Sequence, residues 1–194
     1  MAKTAKFDRD EVIDKATNLY WKKGFHATSM RNLQDEIDMR PGSIYAAFGS
    51  KDGLFKQALR NYTDMGLAEL QLLVEQYDSP LAALKAFVKS QVVDTQNSAP
   101  NGMCMLAKTL GELTEDNQDL VDTTKSHLGE IAEAFASLIA KAQAAGEVNQ
   151  GKSPDELAQH LQIQISGLRT FGKITADKAL LKDKIEDMFK HYPF

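Results

Sequence analysis

The stretch RPGSIYAAFGSKDGLF, residues 40–55, carries the start signals of two helices with only a short apolar run between them. Pro41 suits the first turn of a helix, because the N–H that proline lacks would have no partner there. Ser50 is a typical N-cap residue for a second helix. Ile44 and Phe48 are spaced to fall on one helix face. The stretch therefore predicts a helix of about two turns, from Pro41 to Phe48, and another directly after it.

Two further helices precede this stretch. Asp8 and Glu11 have the spacing of a capping box at the start of the first helix, and Gly24 ends it. Thr28 or Ser29 caps the second helix, which is also short. Three such helices, with a tight turn between the second and third, are typical of a helix-turn-helix unit, which places its last helix in the DNA major groove. A turn between two ordinary core helices is the alternative interpretation of the same residues.

The rest of the chain also shows apolar residues at helical spacing, and no alternating run is long enough for a strand. The sequence therefore predicts an all-α fold of about nine helices. The fourth helix continues to about Tyr77 without a linker, and TQNSAPNG, residues 95–102, is the most loop-like segment. We expect a helix-turn-helix DNA-binding domain over residues 1–60 and a regulatory, dimerising domain over residues 61–194. The later helices are expected at about 81–88, 102–113, 117–145, 154–172 and 175–191.

Composition excludes several classes of protein. No apolar stretch approaches the roughly 20 residues of a membrane-spanning helix, and the N-terminus lacks the apolar core of a signal peptide. We therefore expect a cytoplasmic protein with no membrane partner. The one cysteine, Cys104, excludes an intrachain disulfide. The four histidines are scattered and no phosphate-binding glycine loop is present, so we expect no enzyme, no cofactor and no metal motif, and only a metal site assembled from distant residues stays open.

The charge is distributed unevenly along the chain. The net charge is −4, yet residues 1–60 carry eleven Lys and Arg against eight Asp and Glu, whereas residues 61–194 carry 12 against 19. A basic part beside an acidic part suggests that the basic part binds a polyanion. Ordinary scatter of charge is the alternative. A helical protein-interaction module without DNA activity is the second function that stays open.

The segment TSMRNLQDEIDMRPGSIYAAFGSKDGLF, residues 28–55, resembles the DNA-binding signature of the tetracycline-repressor (TetR/AcrR) family of bacterial transcription regulators. The match is dense over residues 8–60. Gln34 departs from the alanine that is common in the family, and Ala46 and Ala47 replace larger residues that often contact the DNA backbone. The resemblance implies a transcriptional regulator, by default a repressor, that binds a roughly palindromic double-stranded operator as a homodimer and responds to a small-molecule inducer.

The resemblance also implies which residues contact DNA. Three positions match those that touch bases in the family: Arg31, Gly42 and Tyr45. Four match positions near phosphates: Thr28, Ser29, Ser43 and Lys51. The helical spacing adds Arg40, which is expected on the outward side of the short helix together with Gly42, Ser43 and Tyr45.

Two apolar stripes near the C-terminus are expected to form the dimer bundle that the resemblance implies. The first stripe consists of Leu157, Leu161, Ile165 and Leu168, and the second of Leu181, Ile185, Met188 and Tyr192. From the pattern alone, the same stripes are equally compatible with the core of a single chain.

The regulatory part is expected to hold a ligand cavity, because Met and Phe side chains line adaptable apolar pockets. The candidate lining residues are Met65, Phe87, Met103, Cys104, Met105, His127 and Phe135. Each is alternatively an ordinary core residue. The acidic balance of this part favours an apolar or cationic inducer over an anionic one.

Cys104 follows the loop and is expected in the first turn of a helix, with Lys108 on the same face one turn later. A helix N-terminus and a nearby cation both favour a thiolate. Cys104 is therefore a candidate for reaction with oxidants or electrophiles, and a buried, inert cysteine is the alternative.

Overall fold

The computed structural model describes residues 7–94, 102–175 and 177–191. Within these residues the chain forms nine α-helices and no strand, which confirms the predicted all-α fold. The helices are α1 (Arg9–Lys23), α2 (Met30–Ile37), α3 (Pro41–Phe48), α4 (Lys51–Gln76), α5 (Pro80–Lys89), α6 (Met105–Glu112), α7 (Gln118–Ala144), α8 (Pro154–Gly172) and α9 (Lys178–Lys190). A π-helical segment, Ser90–Asp94, extends α5, and a 3-10 turn, Glu115–Asn117, precedes α7.

The first two helices begin at side-chain caps. The Asp8 carboxylate accepts the N–H groups at the start of α1, but Glu11 pairs with Lys15 (2.7 Å), so only the Asp8 half of the predicted capping box is formed. A complete capping box occurs at α2, where Ser29 and Asn32 accept each other's backbone N–H. The cap of α2 is therefore Ser29 and not Thr28.

Helix α3 has the bounds that the sequence predicts. Its two inward residues, Ile44 and Phe48, are buried together with Leu33 and Ile37 of α2. The chain leaves α3 through Gly49, whose φ of 77° is accessible to glycine at low cost. The Ser50 side chain then accepts the N–H of the third residue of α4, which starts the next helix without a connecting loop.

The buried side chains form two clusters that meet along α4. One cluster contains α1, α2, α3 and the first half of α4, and it continues into the regulatory part through Met105, Leu106 and Leu120. The second lies among α5, α7, α8 and α9. The domain division at residue 60 stays a prediction, since α4 is continuous across it. No helix in the described ranges is long and apolar enough to cross a membrane.

The two C-terminal stripes are buried within the chain itself. Five of their residues belong to the second cluster and two pack against it: Leu157, Leu161, Ile165, Leu181 and Ile185, then Leu168 and Met188. Leu157, Leu161, Ile165, Leu181 and Ile185 are buried because α8 and α9 use these faces to pack on α7 and α5. Leu168 and Met188 are only partly buried, and a role of the stripes in the dimer stays a prediction. Tyr192, the last residue of the second stripe, lies outside the described residues.

Candidate DNA-binding surface and internal cavity

The N-terminal end of α3 and the start of α2 present one exposed surface. Six of the residues predicted to contact DNA are exposed on it: Ser29, Arg31, Arg40, Gly42, Ser43 and Tyr45. Tyr45 shows 49% of its surface although its ring is apolar. A Cβ atom at Gly42 would have no neighbour within 4 Å, so the fold of this chain does not itself require glycine there.

Two residues that are predicted to contact phosphates form hydrogen bonds inside the chain. Thr28 is completely buried and its hydroxyl donates to the carbonyl of Gly24 (2.6 Å), so its side chain is withdrawn from solvent. The Lys51 ammonium donates to the carbonyl of Phe25 (2.7 Å) and lies 4.2 Å from the centre of that ring. Burial lowers the pKa of Lys51, and the negative charge of nearby Asp52 opposes this shift. Both side chains hold the loop between α1 and α2.

Arg9 fixes the far end of α3, a role that the sequence does not signal. Its guanidinium donates to the carbonyl of Ala47 (3.2 Å) and lies 4.6 Å from the centre of the Phe48 ring. A cation at the C-terminal end of a helix complements the helix dipole. Arg9 therefore ties the C-terminal end of α3 to α1.

The carboxylate of Glu112, at the end of α6, binds the loop that leads into α2. It accepts the backbone N–H groups of Phe25 (3.0 Å) and His26 (2.6 Å). Gly24, with φ 91°, allows this approach, because a Cβ atom there would overlap the carboxylate. The regulatory part thus holds the helix-turn-helix unit through charge-assisted hydrogen bonds.

Three further hydrogen bonds connect α6 and the residues just before it to the end of α1. The Lys108 ammonium donates to the carbonyls of Trp21 and Lys22 (3.1 Å each). The Trp21 indole N–H donates to the carbonyl of Met103 (2.6 Å). The Lys108 ammonium is therefore directed to the carbonyls at the C-terminal end of α1, and its support of a thiolate at Cys104 stays a prediction.

Removing the Glu112 carboxylate is expected to destabilise this junction. Glu112→Ala should lower the free energy of unfolding by about 1–3 kcal/mol, because hydrogen bonds to charged groups contribute that much and the Phe25 N–H is half-buried. Glu112→Gln keeps an acceptor oxygen and should lose less. Urea unfolding followed by circular dichroism measures both, and equal stability of the alanine variant and the wild type would contradict the assigned role.

A cavity of about 730 Å³ lies among α1 and α4 to α8. Its size is in the range of small-molecule sites, roughly 300–1,000 Å³. Most of its wall is apolar, with Trp21, Leu70, Phe87, Leu128 and Phe135 among the lining residues. Helices α4 and α6, which contact the helix-turn-helix unit, both contribute to this wall.

The structure brings four of the seven predicted cavity residues together. These four line the cavity: Met65, Phe87, Cys104 and Phe135. Three do not line it: Met103, Met105 and His127. Met105 is buried in the first core cluster, and the His127 ring pairs with Glu130 (3.1 Å) on α7. These two side chains are part of the framework and not of the cavity wall.

One corner of the cavity is polar, which the sequence does not indicate. Arg169 of α8 is only 4% exposed, and it donates to the carbonyl of Gly102 (3.2 Å), to Gln91 Oε1 (3.1 Å) and to the Tyr62 hydroxyl (3.5 Å). Burial raises the pKa of Tyr62 above its usual range, the nearby Cys104 sulfur raises it further, and the positive charge of Arg169 opposes the shift. Tyr62 therefore stays protonated.

A metal site assembled from distant residues is the possibility that the sequence leaves open. Across the described ranges, no three His, Cys, Asp or Glu side chains are grouped closely enough to hold a metal ion.

Comparison with known proteins assigns the chain to a family. The family model "Bacterial regulatory proteins, tetR family" matches residues 12–58, and "Tetracyclin repressor-like, C-terminal domain" matches residues 80–188. The HTH-type transcriptional repressor ComR of Escherichia coli (strain K12) is 30% identical over 164 residues, which cover 84% of this chain and 78% of ComR.

Solved structures show the same fold. A cysteine-substituted CifR bound to 26-bp double-strand operator DNA gives a TM-score of 0.86 at 23% identity, covering 98% of this chain and 100% of CifR. Reduced E. coli NemR gives a TM-score of 0.79 at 14% identity, and the match covers 93% of this chain and 95% of NemR. The family members matched are regulators and not enzymes. The chain belongs to the TetR family of DNA-binding transcriptional regulators.

Proposed function

We propose that this chain is a ligand-released repressor that binds a palindromic operator as a homodimer through the exposed end of α3. The observation that carries the proposal is the set of exposed residues at this end, where a small residue, Gly42, adjoins Arg40 and Tyr45. A short helix suffices here because only its N-terminal residues reach base edges in the major groove. Arg31, at the start of α2, is exposed on the same surface.

The outer face of α8 is the surface that we propose for dimerisation. Ile163 is 68% exposed and Ile174, just beyond the helix, is 79% exposed. Gly167 and Thr170 lie between them at helical spacing and are also exposed. Exposed apolar residues in a row favour burial against a second surface, and small residues between them permit close approach of two helices. This face is opposite the stripe that the chain buries itself, and Ile163 on it also lines the cavity.

Selection from a pool of random duplex DNA tests operator binding, because it finds the preferred site among all sequences. The purified protein should enrich an inverted repeat, and its affinity for that repeat should fall steeply with salt, since Lys and Arg contacts to phosphates release counterions. Failure to enrich any sequence would favour the alternative, a protein-interaction module, and would contradict the proposal.

Arg31 is expected to read a base. A guanidinium can donate hydrogen bonds to guanine O6 and N7 at the same time, which contributes about 1–3 kcal/mol of discrimination against other bases. Arg31→Ala should lose preference at one symmetric pair of positions in the selected repeat while still binding other DNA. Arg31→Lys, which keeps the charge, is the control for a phosphate contact. If Arg31→Ala lost affinity equally for all DNA sequences and Arg31→Lys restored it, Arg31 would instead be a contact to the DNA backbone.

We propose that a small molecule in the cavity releases DNA through α4 and α6. Trp21, Tyr62 and Cys104 line the cavity, and α6 ends at Glu112, which holds the loop before α2. A ligand that displaces α6 or the first half of α4 would therefore move the two DNA-contacting helices of each subunit. Glu112→Ala should weaken this coupling as well as stability.

An electrophile is the second kind of inducer that we propose, because Cys104 lines the cavity and is in contact with Tyr62. Alkylation of Cys104 with N-ethylmaleimide should release operator DNA, since the adduct adds bulk to the cavity wall at the start of α6. Cys104→Ser should bind DNA as before and resist the reagent. Equal release of both proteins in a gel-shift assay would show that Cys104 is an inert structural residue.

A further inference from the structure

We infer that the cavity takes an apolar molecule with a carboxylate head group, which Arg169 binds. This inference rests on the proposed function, in which the cavity is the inducer site. It concerns the chemistry of the ligand, for which the sequence predicts an apolar or cationic molecule. That prediction derives from the acidic balance of residues 61–194, whereas the charge inside the cavity is set by the few side chains that reach its wall.

The Arg169 guanidinium is buried without a counter-ion. Among the described residues, it donates to neutral oxygens, those of Gly102, Gln91 and Tyr62. No carboxylate of the described residues forms an ion pair with it. Its Nη2 group is buried and has no hydrogen-bond partner there. A buried charge is costly unless it is paired, so an anionic group at this position would be bound favourably.

Among the described residues, Glu69 is the other charged residue of the cavity wall, and its oxygens already accept hydrogen bonds. Ser90 donates to one oxygen, and Gln91 Nε2 donates to the other at 2.7 Å. The two ends of the Gln91 amide thus face opposite charges, with its oxygen toward Arg169 and its nitrogen toward Glu69. The π-helical segment places both Ser90 and Gln91 here. Glu69 is therefore linked to Arg169 through the Gln91 amide and forms no direct ion pair with it.

The remaining wall determines the rest of the ligand. Phe87, Leu128 and Phe135 line the cavity, so a hydrocarbon or aromatic body would be buried against them. A carboxylate accepts strong, charge-assisted hydrogen bonds from a guanidinium. The Arg169 Nη2 group, which is buried and has no partner in the described structure, supplies the donor for it. An amphipathic carboxylate satisfies both parts of the site.

Three chain-matched probes test this inference: decanoate, decanamide and decyltrimethylammonium, each below its micelle concentration. Trp21, the chain's one tryptophan, lines the cavity, so its fluorescence reports binding, and calorimetry checks the affinity. We expect decanoate to bind the full-length protein at least about tenfold more tightly than decanamide, as charge-assisted bonds are roughly twice as strong as neutral ones. The ammonium probe should bind most weakly.

Arg169→Met is the matched variant, because it removes the charge and keeps an apolar side chain of similar length. It should remove the preference for decanoate over decanamide. Absence of decanoate binding to the wild type, or an unchanged preference in Arg169→Met, would overturn the inference.

A separate gel shift with the selected operator distinguishes the inference from the proposed function. If decanoate bound through Arg169 but did not release DNA, the inference that the cavity takes a carboxylate would stand. The proposal that a ligand in the cavity releases DNA would then be contradicted.

Discussion

Replacing Gly53 with alanine is expected to lower the free energy of unfolding by about 1–3 kcal/mol, the usual cost of forcing an extra group into a packed site. Gly53 lies in the first turn of α4, directly against the end of α3. A Cβ atom there would overlap the carbonyl oxygen of Phe48, which is backbone and cannot rotate away. Arg9 holds the same segment through Ala47 and the Phe48 ring. The clash would therefore displace α3, and operator affinity should fall with stability.

Gly42→Ala is the matched control for this substitution. Gly42 is also in the first turn of a helix, but a Cβ atom there has open space around it. Alanine in place of a helical glycine stabilises by roughly 0.5–1 kcal/mol, so this variant should be as stable as the wild type or more stable. Under the proposed function it should nevertheless bind operator less tightly, because the methyl group would stand between α3 and DNA. Urea unfolding and fluorescence anisotropy measure the two properties, and equal destabilisation by both alanines would contradict the account.

Replacing Gly167 with arginine is expected to give a folded monomer that does not bind the operator. Gly167 is exposed on the outer face of α8 and has no neighbour around its Cβ position, so the single chain should tolerate the change. Across a two-fold axis, however, each substitution meets the same surface of the partner, and two long cations would separate the helices. A monomer carries only one of the two α3 helices that would bind the operator, so its operator binding should be lost.

Two controls make this result specific. Gly129→Arg places the same side chain at an exposed, open position of α7 and should leave the dimer intact. Leu161→Glu introduces a charge into the core of the single chain, where Leu161 is completely buried, and should unfold the protein rather than split the dimer. Sedimentation velocity and circular dichroism separate these outcomes. A Gly167→Arg variant that stays dimeric would place the interface on another face.

The helix-turn-helix unit could be predicted in detail because its signals are local. Pro41 and Ser50 mark helix starts through their own backbone chemistry, and the bounds of α3 follow from them. The resemblance to the TetR family rests on the same residues and is confirmed. Local patterns cannot show where a side chain finds its partner, however. Thr28 and Lys51 match positions near phosphates, yet their hydrogen bonds go to carbonyls in the α1–α2 region.

The regulatory part is harder to predict because its contacts join distant segments. The stripe of α8 that includes Leu161 shows that one helix face is buried, but periodicity does not tell whether the chain or a second copy covers it. Arg169 has no signal at all, since it resembles any basic residue near a helix end. Its burial beside Tyr62 and Gln91 depends on the packing of α4, the π-helical segment and α8.

Footprinting of the protein on its selected DNA tests the central claim, that two copies of this chain bind an operator through the exposed ends of α3. Hydroxyl-radical cleavage should show two protected regions related by two-fold symmetry, with their centres about 34–36 Å or a multiple of that distance apart. A single protected region, or protection without symmetry, would contradict the account.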